Sequence, residues 1–200
     1  LPSFLNQANK ARQSEAKTYV GSMNRAQQAH YLEKTSFSNN LGSLGLGIPE
    51  ITEYYQYVPH TADIGSGAEL RTAVHNVAVT IESTAGATAG ATTATVKADA
   101  PVLSYAGGVM VGKVPTGTNA AGDVVTETTT VAKMCEANAA PVNQGPTGAS
   151  ADTQTEASPP VVFTHEDSVV EYTVDDGAGG TTEATATVKA LVCPNNYEGI

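Results

Sequence analysis

The chain has 200 residues, of which 40% are hydrophobic and 15% charged, and it contains no Trp. That is enough for one well-buried core and at most two small domains. Ten Lys and Arg against twenty Asp and Glu give a formal net charge of −10; such a surface repels a phosphate backbone and argues against specific nucleic-acid binding.

Residues 3–34 contain no proline and a single glycine, Gly21. Apolar or bulky side chains fall at Leu1, Phe4/Leu5, Ala8, Ala11, Ala16, Tyr19/Val20, Met23, Ala26 and His30/Tyr31. The steps are mostly three or four, which is the helical period, so one helix is predicted over residues 1–34. At 1.5 Å per residue it is about 50 Å long, more than a chain of this size needs to cover one sheet, so part of it is expected to protrude. Pro2 suits the first turn of such a helix, and it kinks one that begins further upstream. Charge is unevenly placed. Residues 1–34 carry five basic groups (Lys10, Arg12, Lys17, Arg25, Lys34) against Glu15 and Glu33, a net +3, and the other 166 residues carry a net −13. A basic stem joined to an acidic body implies two differently employed parts.

"SFSNNLGSLGLGIPE" ends the helix, because Asn39, Asn40 and the glycines at 42, 45 and 47 break the period. Residues 35–72 read as a long connector, with a short strand at "EYYQYV" whose three tyrosines lie against the core. After Thr72 the texture changes to alternation. "HNVAVTIES" places Val77, Val79 and Ile81 on one face and Ala78, Thr80 and Glu82 on the other. "ATTATVKADA", "VLSYAGGVMVGKV", "DVVTETTTVAKMCE", "VVEYTVDD" and "TTEATATVKALVC" also read as strands, rich in Val and Thr and bounded by Gly or Pro. "VDDGAGGTTE" reads as the turn of a hairpin. Residues 138–160 have almost no large apolar side chain and read as a surface excursion, poorly ordered or held only at its ends.

The predicted architecture is α+β and forms one globular domain: helix 1–34, connector 35–72, then an antiparallel sheet over 73–200 that includes the excursion 138–160. The helix is expected to pack its apolar face on one side of the sheet, leaving the Thr- and Glu-bearing side to water. Two cysteines, Cys135 and Cys193, suggest one disulfide and an oxidising compartment, the alternative being two buried free thiols. A bridge closes a 58-residue loop, for which chain entropy gives about 4 kcal/mol before strain.

Chemistry is sparse. His30, His60, His75 and His165 form no HxxxH or HExxH pattern. "HTAD" and "HED" read as loop or strand-edge polar residues, and "DDGAGG" (Asp175, Asp176) lacks the ligand spacing of a calcium loop. Gly65-Ser-Gly67 lacks the third glycine of a dinucleotide loop, and no GxSxG or N-x-S/T motif occurs. No catalytic residue, metal site or cofactor is assigned, and the chain is not read as an enzyme. No run reaches the roughly 18 apolar residues of a membrane span.

The segments "LPSFLNQANKARQSEAK", "NRAQQAHYLEKTSFS", "APVLSYAGGV" and "TVAKMCE" together resemble the body of a type IV pilin, in particular the major pilins of cyanobacteria. The first is similar to the stretch that follows the pilin hydrophobic segment, the second to the helix end and exit turn, the last two to the sheet. The resemblance implies that Leu1 is where a longer helix was cut, that Pro2 matches the family's kinking proline, and that an apolar segment ahead of it anchors the precursor in the inner membrane, facing the periplasm. It implies that Cys135 and Cys193 are the pair enclosing a variable C-terminal region. It further implies a homo-oligomeric helical filament on the cell surface, serving adhesion to surfaces or other cells, twitching motility and DNA uptake, and built by pilus assembly machinery. Leu1, Phe4, Leu5, Ala8, Tyr19 and Met23 are the expected filament-packing residues, and Lys10, Arg12 and Lys17 a charged stem that attracts the acidic body of a neighbour. Competing readings are a minor pilin or type II secretion pseudopilin, and a secreted monomeric adhesin or binding module.

Overall fold

The computed structural model describes residues 2–65, 72–82, 96–119, 124–148, 163–175 and 181–200. Helix α1 runs Pro2–Lys34. It stops where Thr35 enters the left-handed region (φ 54°), with its N–H donated back to the Tyr31 carbonyl at 2.7 Å. A β-branched residue resists that conformation, and Gln27 holds the bend in place: its Nε2 donates to the Ser38 carbonyl (2.6 Å) and its Oε1 accepts from the Ser38 N–H (2.9 Å).

Seven strands follow: β1 (Tyr55–Thr61), β2 (Ala73–Thr80), β3 (Tyr105–Thr118), β4 (Val124–Ala137), β5 (Thr164–Asp175), β6 (Thr181–Val192) and β7 (Tyr197–Gly199). They form a five-stranded antiparallel sheet in the order β1-β2-β3-β4-β7 and a separate β5–β6 hairpin. β1 is an edge strand, so Pro59 costs the sheet no ladder hydrogen bond on its open side. β3 and β4 run on together past the other strands, from Tyr105↔Glu136 to Thr118↔Val124, with a bulge between Pro115 and Gly117.

Three expectations change. First, 73–200 is not one sheet: α1 lies on one face of the five strands and the β5–β6 hairpin on the other. Every residue of β2 is buried. Val74, Asn76 and Ala78 face α1, and Ala73, His75, Val77 and Val79 face the hairpin side. The face assigned to water is therefore covered. Second, residues 138–148 are stitched to the sheet rather than held at their ends. The Thr80 N–H donates to Thr147 O (2.9 Å), the Val142 N–H to Ala100 O (3.1 Å), and Ser104 Oγ to Pro146 O (2.7 Å). The rest of that segment, 149–160, lies outside the described residues. Third, of the strand expected at 91–100, residues 91–95 are also outside; Val96 makes one bridge to Ile81 and the chain then turns.

Two adjacent glycines let β3 carry both layers. A Cβ on Gly107 would collide with Asn24 and Val20 of α1, and one on Gly108 would come within 2.9 Å of the Phe163 ring at the root of β5. Neighbouring residues of a strand point to opposite faces, so each glycine admits one layer to close approach.

Candidate assembly surface

The buried face of α1 consists of Ala16, Val20, Met23, Asn24 and Gln27. Steps of four, three, one and three residues keep them on one side of the helix. Two of the five are amides, and both are bonded. Asn24 Nδ2 donates to the Lys133 carbonyl (3.1 Å), and its Oδ1 accepts from Asn76 Nδ2 (2.9 Å). Gln28 reaches the rim of β4, donating to Thr130 O at 3.3 Å. Satisfied amides cost little to bury and fix the helix in one register on the sheet. A search for apolar periodicity passes over them because they interrupt it.

Before Ala16 nothing between residues 4 and 15 is buried. Phe4 is 77% and Leu5 66% exposed, though both are large and apolar. Ala8 is half-buried. Tyr19 turns its ring edge-on to Tyr57, centroids 5.3 Å apart, and Met23 is fully buried under the sheet. Of the six residues expected to pack in a filament, Met23 is thus taken by its own protomer and Tyr19 largely so, whereas Phe4 and Leu5 have no cover. Leu1 lies outside the described residues.

The charged stem divides similarly. Lys10 and Lys17 are exposed. Arg12 is not free: its guanidinium lies 3.7 Å from the centre of the Tyr54 ring, and it donates to Asn9 Oδ1 at 3.0 Å. Desolvation adds to the strength of such a cation–π contact. Behind it Tyr55 and Tyr105 are buried, and burial pushes both phenols above their ordinary range. Tyr55 donates its hydroxyl to Leu103 O at 2.8 Å.

At the other end of the chain Cys135 of β4 and Cys193, just past β6, form a disulfide with Cα atoms 5.9 Å apart. It ties the hairpin's exit to the sheet. His30 Nδ1 lies against Ser36 O (2.7 Å), while His75 is buried beneath Phe163 with the His60 ring 6.4 Å away. Among the described residues no three His, Cys, Asp or Glu side chains are grouped to hold a metal ion. Asp175 ends β5, and Asp176 lies outside the described residues.

A sequence model of the type IV pilin-like G and H family matches residues 13–160, most of the chain, spanning the seated part of α1 and the sheet through β4. The chain belongs to that family. Neither a curated protein nor a solved structure gives a match. The pilin-like family is structural rather than enzymatic, and it implies assembly into pilus-like oligomers. In this pilin-like chain the long helix on an antiparallel sheet and the Cys135–Cys193 bridge follow the expected pattern. The match ends before β5, so the hairpin and Cys193 lie beyond it.

Proposed function

We propose that this protein is a structural subunit of a type IV pilus filament on the cell surface, polymerising through the uncovered part of α1 with the help of pilus assembly machinery. The observation that carries the reading is the exposure of Phe4 and Leu5 on a helical segment that the protomer's own sheet leaves bare. Burying one such side chain against a neighbour is worth about 1.5–3 kcal/mol. Copies that each offer a helix to a different patch of the next make heterologous contacts, which close into a ring or continue as a fibre. Exposed Lys10 and Lys17 add attraction toward the acidic body of a neighbour, and Arg12 adds its charge from a position fixed over the Tyr54 ring. Anchoring of the precursor to the inner membrane belongs to the same proposal; among the described residues no helix is long and apolar enough to cross a membrane.

The test is made in the cell that produces the chain. A Phe4→Ser, Leu5→Ser double variant is expected to fold and export normally yet to disappear from sheared surface fibres. Undiminished incorporation would overturn the reading. Recovery of the wild-type chain only in trace amounts beside another subunit would reassign it as a minor component.

A further inference from the structure

We propose that His75 is the catch of an acid-released latch that holds the root of the β5–β6 hairpin on the sheet. His75 is 1% exposed, and both of its ring nitrogens are engaged. Nδ1 accepts the Phe163 backbone N–H at 3.2 Å, which places the ring's proton on Nε2, 3.3 Å from the Ala62 carbonyl. The Phe163 ring stacks on the imidazole, with centroids 5.9 Å apart and planes 19° from parallel, and fills the space over Gly108. The catch therefore works only as the neutral Nε2–H tautomer. A second proton, on Nδ1, sets two donors face to face in a dry site and breaks the bond that begins β5.

Among the described residues the surroundings offer that proton no free counter-charge. Strand register places His75 in a row with His60 on β1, Gly108 on β3 and Lys133 on β4. Two of these neighbours are cationisable and none is a carboxylate. From the hairpin the apolar side chains of Phe163 and Leu191 close over the same cluster; the ionisable groups that follow on that side of the hairpin are His165, paired with Leu191, and Asp167, which is ion-paired with Lys189 at 2.7 Å. α1 occupies the opposite face of the sheet. Burial pushes the imidazole down to about 4; the Ala62 carbonyl raises it somewhat and His60 lowers it.

Lifting the hairpin root returns His75 to water and to its ordinary value near 6.5. Opening then takes up a proton, so between about pH 6.5 and 4 the opening equilibrium grows by up to about tenfold per pH unit. The disulfide ties Cys193, one residue past Val192 and so beside the same root, to β4, and the hairpin pivots about that bond rather than leaves. The swing uncovers Phe163 and Leu191 and the outward side of β2 and β3, while α1 and the five strands keep their packing. This is a local opening, distinct from global unfolding.

Hydrogen exchange resolved by segment, on the full chain at pH 6.5, 5.5 and 4.5 and corrected for intrinsic rates, tests the latch. Amides of β5 and β6 are expected to lose about fortyfold protection across that range, with those of β2 and β3 unchanged, and the His75 ring resonance is expected to titrate only when the hairpin opens. A His75→Gln variant, whose amide oxygen still accepts the Phe163 N–H but takes up no proton, is expected to lose the pH slope, and His60→Gln to keep it. An equal loss of protection in β2 and β3, or an unaltered slope in His75→Gln, would overturn the proposal. Should that variant not fold, the wild-type exchange pattern and the His75 titration decide between the same outcomes.

Discussion

The two layers that cover the sheet are attached by different means. α1 is held at many points: Ala16, Val20 and Met23 bury apolar surface, and Asn24 and Gln28 add amide hydrogen bonds to β4. Among the described residues the root of the hairpin is held by the Phe163 ring, Leu191, the His75 bond and one disulfide. Distributed attachment gives the helix a register that no single change undoes. The His75 bond and the disulfide make the hairpin's root sensitive to individual residues, and it lies beyond the part of the chain that matches the family.

The comparison is broken most sharply at the disulfide. Cys135→Ser with Cys193→Ser opens a 58-residue loop, and a thermal melt is expected to show a loss of about 4 kcal/mol, with the hairpin the first segment to lose exchange protection. Acid acts next. The folded-state value of His75 is depressed relative to about 6.5, so its contribution is fully present above that pH and is lost as pH falls toward about 4. Denaturant melts at pH 7 and pH 4 are expected to differ by about 3 kcal/mol from this group alone, and His75→Gln removes that part of the difference. The two glycines then separate the layers directly. Gly107→Ala pushes against Asn24 and Val20, and Gly108→Ala against Phe163. Each is expected to cost about 1–3 kcal/mol, with exchange rising in α1 for the first and in β5–β6 for the second. The smallest effect is expected at Arg12→Gln, about 0.5–1 kcal/mol from the lost contact with Tyr54. It is read in the same melts and leaves both layers seated.

Much of this was legible in the residues, and what escaped has identifiable causes. An unbroken 3–4 spacing over more than thirty positions marked α1, and the asparagines and glycines after it marked its end. Two cysteines allow only one intramolecular pairing. The alternation in β2 told which residues share a face but not what lies on each, so Thr80 was assigned to solvent although it is buried. Asn24 and Gln27 read as polar positions because their bonding partners, Asn76, Lys133 and Ser38, are distant in sequence or lie past the bend. Residues 138–148 looked unattached since their attachment is by backbone hydrogen bonds, which side-chain composition does not report. β7 is three residues long and has no periodicity to detect. On the candidate surface, exposure of Phe4 and Leu5 follows from where the sheet stops, which only the fold reveals.

The spread of anchor points along α1 has a mechanical meaning. From Ala16 to Gln28 they occupy about three and a half helical turns. A pull on the free end of the rod is resisted by all of them in shear, so the load is shared and none must yield first. Tension applied to the hairpin, by contrast, ends on a covalent bond between the layers, the Cys135–Cys193 bridge at its root.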